Sequence, residues 1–445
     1  LFAMFWCKLT KSGTFGMTNK VSCYWTLHPA QRHCIIGEKY GGGINKYRSY
    51  YKIQSPVRMK VSKYKFIDEE KLYESFRKEQ KPCENPLKIL ILGELAYNPE
   101  RIYALEQAGH ILYGLTHFSK HGIHPILHHY RHFASRIRFS LYNFFEIIRC
   151  KEPYDLLYGT SFYGLELIIF LRAFGLYRKP IAIWHHQAVV RNSNKLKNLV
   201  SRFYYRGIDQ MFFFSQTLIE DSLKSGKVNA GQLHLIHWGA DLDFYDYLRQ
   251  HLPAANEEEP EKTFITTGKE NRDFTTLLKA FAETGLPLDV FTTPAAGDKN
   301  YELLLKKYIP YTNIRIHFTS GIIPHKLATE VAHSKVVVIC CLDNPYTVGL
   351  TTLVEAFALG LPVICSRNPK FQMDIEKEGT GIYVDYNDTE GWKQAIRYLY
   401  THPEEAQQMG ANGRKLAERE YNLEHYSREL SQILTTTVKT YRKQP

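Results

Sequence analysis

From Leu87 onward the chain alternates short apolar runs with stretches of helical spacing, and it does so twice, on either side of a break at Asn256 to Lys262 that holds four Glu and a Pro. A run too short for a helix, apolar throughout and bounded by turn residues, reads as a strand covered on both faces. Strands of that kind separated by amphipathic helices imply a parallel sheet with helices on both sides. In the first block the expected strands are Leu87 to Leu92, Gly109 to Leu115, Asp155 to Tyr158, Ile181 to Trp184, Met211 to Phe214 and Leu233 to Ile236. A helix over Pro99 to Ala108 joins the first two, and near Asp246 the pattern lapses. The second block gives strands Thr263 to Thr267, Leu288 to Thr292, Ile314 to Phe318, Val336 to Ile339 and Val363 to Ser366. Its helices are expected at Asp273 to Glu283, His325 to Ser334 and Thr351 to Leu359, and amphipathic helices close the chain.

The fold class is therefore α/β, with two doubly wound domains facing across a cleft. The expected divisions are a poorly patterned extension over 1–86, a first domain over 87–250 and a linker over 251–262. A second domain over 263–420 and a helical tail over 421–445 complete it. A length of 445 residues suits two cores rather than one. Ligands of such sheets sit beyond the carboxyl ends of the strands, so the cleft is the natural site.

Hydrophobic residues at 44% and charged residues at 23% fit a globular chain and exclude a disordered one. No window offers the roughly 18 apolar residues of a membrane span. The longest candidate, Leu165 to Leu176, carries Glu166 and Arg172 and reads as a buried helix. The opening Leu-Phe-Ala-Met-Phe-Trp-Cys has no basic residues before it and no small-residue cleavage site after it, so it is not read as a signal peptide. Eight cysteines without a Cys-x-x-Cys point to a reducing cytoplasm and away from a zinc site. The net charge of +12 is lopsided: 1–84 and 101–210 each carry +9, and the remainder −6. A basic first half attracts anionic lipid, nucleic acid or an anionic substrate, and charge alone does not choose.

The chemistry concentrates between Asp343 and Ser366, in DNPYTVGLTTLVEAFALGLPVICS. A strand ends near Cys341, a polar loop reaches Gly349, and a helix starts near Thr351, where N–H groups and the dipole suit a diphosphate. Gly360 would end that helix as a left-handed cap before Pro362. The stretch resembles the signature of the family four, or group 1, glycosyltransferases. Gly349-Leu350, Glu355-Ala356, Ala358, Gly360 and Pro362-Val363-Ile364 match its Glu-x-Phe-Gly-x-x-x-x-Glu-Ala-x-Ala-x-Gly-x-Pro-Val-Ile pattern. Gly379-Thr-Gly-Ile and Met409-Gly-x-Asn-Gly-Arg414 extend the resemblance, which is weaker in the first half.

The resemblance implies the GT-B fold, two Rossmann-like domains, and transfer of a sugar from a nucleotide-diphospho-sugar to an acceptor hydroxyl. It implies retention of configuration, with no metal and no cofactor beyond the donor. Surface polysaccharide or glycolipid synthesis, with a saccharide or lipid-linked acceptor, is the family's usual setting. Donor binding falls on Gly268, Thr347, Gly349, Leu350, Thr351, Thr352 and Glu355, and the catalytic set on His186, Lys269, Arg272 and Glu355. Glu355 would hold the ribose hydroxyls; its other reading is a capping box with Thr352. The family's first Glu is Thr347 here, and a hydroxyl does not supply that charge. Gly268-Lys-Glu-Asn-Arg-Asp273 resembles the family's Gly-Arg segment, with two cations for the departing diphosphate. Its plain reading is a solvated helix start capped by Asp273. His186, beside His185, resembles the family's His near the reacting sugar; the alternative is a packed histidine.

Three features lie outside that set. Asp241-Leu-Asp243 imitates a metal-binding Asp-x-Asp but sits in Trp238-Gly-Ala-Asp-Leu-Asp-Phe244, which resembles the segment leaving the family's first domain. His117, His121, His124, His128 and His129 are broken by Gly122 and Pro125 and read as a polar loop. Arg131 to Arg149 interleaves four Arg with aromatic and aliphatic residues, either a helix packed on the sheet or one lying on an anionic membrane. No nucleic-acid motif accompanies the charge. Partners are thus a nucleotide-sugar, an acceptor and peripheral contact with anionic lipid, in the cytoplasm at the inner face of the plasma membrane. Rival readings are a nucleotide-sugar epimerase on the same fold and a non-catalytic nucleotide-sugar-binding protein.

Overall fold

The computed structural model describes residues 85–93, 107–128, 133, 135–252, 263–297, 299–319 and 324–443. The extension over 1–84, the loop from Glu94 to Pro99, all but the end of the Pro99 to Ala108 helix and the acidic linker lie outside the described residues.

The first sheet consists of β1 (Leu87–Leu92), β2 (Ile123–Leu127), β3 (Leu156–Gly159), β4 (Ile181–Trp184), β5 (Gln210–Phe213) and β6 (Leu233–Leu235). They pair in parallel in the order β2-β1-β3-β4-β5-β6. Its helices are α1 (Arg136–Arg149), α2 (Glu166–Ala173), α3 (Lys195–Tyr205) and α4 (Gln216–Lys224). β3 and β4 are buried at every residue, as their uniform apolar runs require. β2 carries Pro125, which the sheet accommodates because β2 is an edge strand.

One expected strand does not form. Gly109 to Leu115 is a 3-10 turn over Gly109–Leu112, followed by Tyr113 and Gly114 in left-handed conformations with φ of 53° and 89°. Two consecutive positive φ values cannot continue a strand. The segment instead lies across the sheet, and Leu112 and Leu115 share a core cluster with Ile89, Ile91, Tyr158 and Trp184 of β1, β3 and β4. The lapse expected near Asp246 is also absent: Asp241 caps α5 (Leu242–Gln250), accepting from the Phe244 N–H at 3.2 Å.

The second sheet contains β7 (Phe264–Thr267), β8 (Leu288–Thr292), β9 (Ile314–Phe318), β10 (Val336–Ile339), β11 (Val363–Ser366) and β12 (Gly381–Val384). All pair in parallel in the order β9-β8-β7-β10-β11-β12. Chain order reverses between β7 and β10, just as it does between β1 and β3 in the first sheet. Each reversal opens a crevice at the carboxyl edge of its sheet. The helices are α6 (Phe274–Thr284), α7 (Pro324–Ala332), α8 (Leu350–Leu359), α9 (Thr389–Thr401) and α10 (Pro403–Arg419).

The last helix, α11 (Leu423–Arg442), returns to the first domain. Its Tyr426 ring packs against Trp184 and Trp238, 6.1 and 5.4 Å between centroids, and Arg442 pairs with Asp155 at 2.6 Å. Leu430, Leu434 and Val438 join the core over β1 and β3. The chain thus crosses between domains twice, and the crossings are zipped together. Ala240 N–H donates to Tyr421 O at 3.0 Å and Leu423 N–H to Ala240 O at 2.8 Å. Gly239 lies so close to the Asn422 backbone that a Cβ would overlap it. No helix among the described residues is long and apolar enough to cross a membrane.

Candidate active site

β7 and β10 are hydrogen-bonded neighbours, so the loops leaving their carboxyl ends emerge side by side at the second reversal point. The loop after β7 carries Gly268 to Asp273, and the loop after β10 runs to Gly349 and α8. They are tied together: Leu342 N–H donates to Asn271 O at 2.9 Å, and Asn271 Nδ2 donates to the Tyr346 hydroxyl at 2.5 Å. Asn271 has φ of 51° and Gly268 φ of 112°, conformations that a fold holds only where the surroundings over-determine them. A Cβ on Gly268 would collide with the Arg272 guanidinium, so the glycine makes room for it.

Arg272 is only 6% exposed. Its Nε donates to Thr267 O at 3.1 Å, one Nη to Cys341 Sγ at 3.3 Å and the other to Thr352 Oγ1 at 3.3 Å. Every acceptor is neutral, and among the described residues no carboxylate lies within ion-pair distance. A buried cation without a counter-charge is costly, by several kcal/mol in order of magnitude. Lys269, half-buried, lies on the same loop, and Asp273 caps α6 by accepting from the Thr276 N–H at 3.2 Å. The solvated reading thus describes Asp273 but not Arg272.

α8 begins at Leu350 with Gly349 as its N-cap, at φ of 93°. No side chain caps it, which leaves the Thr351 and Thr352 N–H groups of its first turn without a side-chain acceptor. Thr347 sits half-buried just before the helix, its carbonyl accepting from the Leu350 N–H at 3.2 Å. Gly360 closes the helix in the left-handed region, φ 71°, as expected. With this start, Thr352 and Glu355 are the third and sixth helical residues, so no capping box forms between them. They lie on one face of α8.

Glu355, with its side chain 33% exposed, looks toward the first domain. Its Oε1 is 3.4 Å from His110 Nε2. His110 is fully buried, and its Nδ1 accepts the Asp241 N–H at 3.2 Å. In the neutral ring the proton therefore sits on Nε2, which lies beside Glu355 without a hydrogen bond to it. Tyr245 of α5 also lies beside Glu355; burial, with that carboxylate near, pushes the Tyr245 hydroxyl well above its ordinary pKa. Sequence reasoning missed both partners.

In the first domain His186 follows β4. Its Nε2 donates to Thr160 O at 3.1 Å, which leaves Nδ1 as an acceptor. Tyr113 and Phe214 flank the ring at 6.0 and 5.7 Å between centroids. Burial lowers the pKa of His186, and burial pushes His185 down to about 4, so both are neutral at pH 7. At the β1/β3 reversal a small cavity is lined by Leu92, Gly93, His128, Asn143 and Ser161.

Asp241 spends its carboxylate on the Gly109 and Phe244 N–H groups, at 2.7 and 3.2 Å. The histidine cluster divides: His117 and His121 face Glu424 of α11 at 3.8 and 3.3 Å, and His124 lies on β2. His128 is buried, and His129 lies outside the described residues. α1 starts at Arg136, which pairs with Glu166 at 2.5 Å, and buries Phe139, Asn143 and Ile147. Its outer face leaves Leu141, Phe145 and Ile148 exposed, the last two at 47% and 57%. Arg131 is outside the described residues.

Residues 251–416, which contain both tied loops and α8, match the family described as "Glycosyl transferases group 1". The second domain is a group 1 glycosyltransferase domain, and the chain has the GT-B fold. Among solved structures, a Rickettsia africae glycosyltransferase superposes with a TM-score of 0.61 at 14% identity, over 81% of this chain and 100% of that one. A Thermosynechococcus elongatus sucrose-phosphate synthase gives 0.59 at 17% identity, over 80% and 100%. Anabaena HepE, solved in complex with UDP-glucose, gives 0.56 at 14% identity, over 79% and 100%. At such identities these likenesses establish the fold of this glycosyltransferase. No curated protein matches its sequence.

Proposed function

We propose that this glycosyltransferase takes a sugar from a nucleotide-diphospho-sugar and places it on an acceptor hydroxyl, with retention and without a metal in the reaction. The observation that carries this reading is Arg272: a buried guanidinium with neutral partners, beside an uncapped helix start, at a sheet's reversal point. Such a site is completed by an anion with several oxygens, and a diphosphate is one. Arg272, Lys269 and the first turn of α8 at Leu350, Thr351 and Thr352 take up charge as the nucleotide diphosphate departs. Gly268 and Gly349 let the backbone approach it, and Thr347 offers a hydroxyl toward the sugar in place of a carboxylate. Glu355, steadied by His110 and Tyr245, accepts the ribose hydroxyls. His186 Nδ1, neutral and accepting, receives the acceptor hydroxyl. That HepE was solved with UDP and with UDP-glucose favours a UDP-sugar as the first donor to try.

The acceptor is a saccharide or lipid-linked saccharide of surface polysaccharide or glycolipid synthesis, met at the cytoplasmic face of a membrane. WaaG, involved in lipopolysaccharide biosynthesis, shares the fold with a TM-score of 0.52 at 13% identity. The exposed Leu141, Phe145 and Ile148 beside Arg138 and Arg149 on α1 suit anionic lipid.

The test is Glu355→Ala, assayed with UDP-, GDP- and ADP-sugars first ranked by thermal shift. Turnover should disappear while melting stays cooperative. Undiminished transfer would refute the assignment, and donor binding without transfer in the native protein across many acceptors would favour the non-catalytic reading that Thr347 motivates.

A further inference from the structure

The zipped crossings are flanked by a cluster that the transfer reaction does not use. His237 leaves the first sheet just before Gly239, while His425 and Glu429 stand one turn apart on α11, just after Asn422. His237 Nδ1 lies 3.0 Å from Glu429 Oε1, and His425 Nε2 lies 3.3 Å from the same oxygen. The ligand atoms of all three fall within 4.8 Å of one another. A tetrahedral ion with bonds of about 2.0–2.1 Å holds its ligand pairs roughly 3.3 Å apart, so these side chains need little movement to enclose one. The i, i+4 spacing of His425 and Glu429 keeps both on one helix face.

The surroundings fit as well. The backbone N–H of His237 donates to Glu429 Oε2 at 3.2 Å, which orients the carboxylate and leaves Oε1 toward the two imidazoles. All three side chains are half-buried, with 25–31% exposure. His237 also lines a groove of about 420 Å³ between the domains, bordered by Gln216, Gln372 and Tyr421, which gives an ion a way in and a water a place in a fourth position. Glu420 adds negative charge nearby. Arg428 opposes: exposed on α11, it donates to His425 Nδ1 at 3.0 Å. It must swing aside when that nitrogen takes the proton and Nε2 turns its lone pair to a metal.

We infer that His237 Nδ1, His425 Nε2 and Glu429 Oε1 bind one divalent transition-metal ion of the zinc class, clipping α11 to the first domain at the hinge. Two imidazoles and one carboxylate suit zinc and its spectroscopic substitute cobalt, and they disfavour magnesium or calcium. The site is structural, shares no residue with the set around Arg272 and Glu355, and does not rest on the proposed donor or acceptor.

The full chain, stripped with a chelator and dialysed, is titrated with Zn²⁺ by calorimetry and with Co²⁺ by visible absorption. The expected result is one equivalent per chain, a cobalt d–d band, and a melting temperature raised by zinc. Glu429→Gln and His425→Ala should each weaken binding at least tenfold, and Arg428→Ala should tighten it. Cooperative melting of the metal-free variants shows that they fold. Failure of both ions to bind at one equivalent overturns the inference, as does binding that survives unchanged in Glu429→Gln and His425→Ala.

Discussion

The carboxyl edges of the two sheets hold the same position in nearly the same topology, yet they are built from opposite materials. In the second domain the edge is polar and charged: a buried cation, two tied loops and an uncapped helix start. In the first it is aromatic and neutral: His186 rests among Tyr113 and Phe214, and burial keeps it and His185 uncharged. On the proposed reading, one edge holds and releases an anion and the other receives hydroxyls. The fold supplies two crevices, and side-chain chemistry decides which ligand each receives.

Replacing Arg272 with Met strikes this contrast hardest. Donor affinity should fall by about a hundredfold, or ~2.7 kcal/mol, since hydrogen bonds to a charged ligand are lost. Stability should hold or rise, because the buried cation has no counter-charge to strand. A fall in melting temperature with unchanged donor affinity would make Arg272 a structural residue and erase the contrast; calorimetry and melting read both.

The neutral edge is tested by pH. The His185 pKa is about 4 when folded and near 6.5 when unfolded, so only the unfolded chain takes up the proton between those values. Stability should be level above pH 6.5, fall as pH drops below it, and be lower by roughly 3 kcal/mol once pH passes 4. His185→Gln should flatten that slope in urea melts at stepped pH. A slope that persists unchanged assigns it to other groups.

Gly239→Ala probes how the edges are brought together. The new Cβ meets the Asn422 backbone, so we expect a loss of about 1–3 kcal/mol by denaturant melting. The smallest effect is on the surface of α1. Phe145→Asp should change stability by less than about 0.5 kcal/mol, yet weaken sedimentation with anionic vesicles. Sedimentation that is unaffected, or insensitive to salt, would leave α1 with no membrane role.

The sheets were legible in the sequence because strands buried on both faces must be apolar runs, and all five expected second-domain strands coincide with observed ones within a residue at every end. Ile181–Trp184 and Val363–Ser366 do so without any shift. Gly109 to Leu115 misled because an apolar run packed against a sheet has the same composition as a strand within it. The loop residues were legible as types and not as environments. Arg272 sits in a charged pentapeptide that reads as solvated, and only the pairing of β7 with β10 buries it. His110 and Tyr245 reach Glu355 through tertiary packing that no local spacing encodes.

The return of α11 to the first domain also has a consequence for biosynthesis. The second domain's strands and helices leave the ribosome as one continuous stretch, whereas the first domain waits for α11, translated after that whole stretch, to cover Trp184 and Ile89. Until then it carries an open apolar face and its longest-range contacts are unmade, conditions that slow folding and invite chaperones. Premature termination before Leu423 would therefore spare the half that resembles other group 1 enzymes and cripple the half made first.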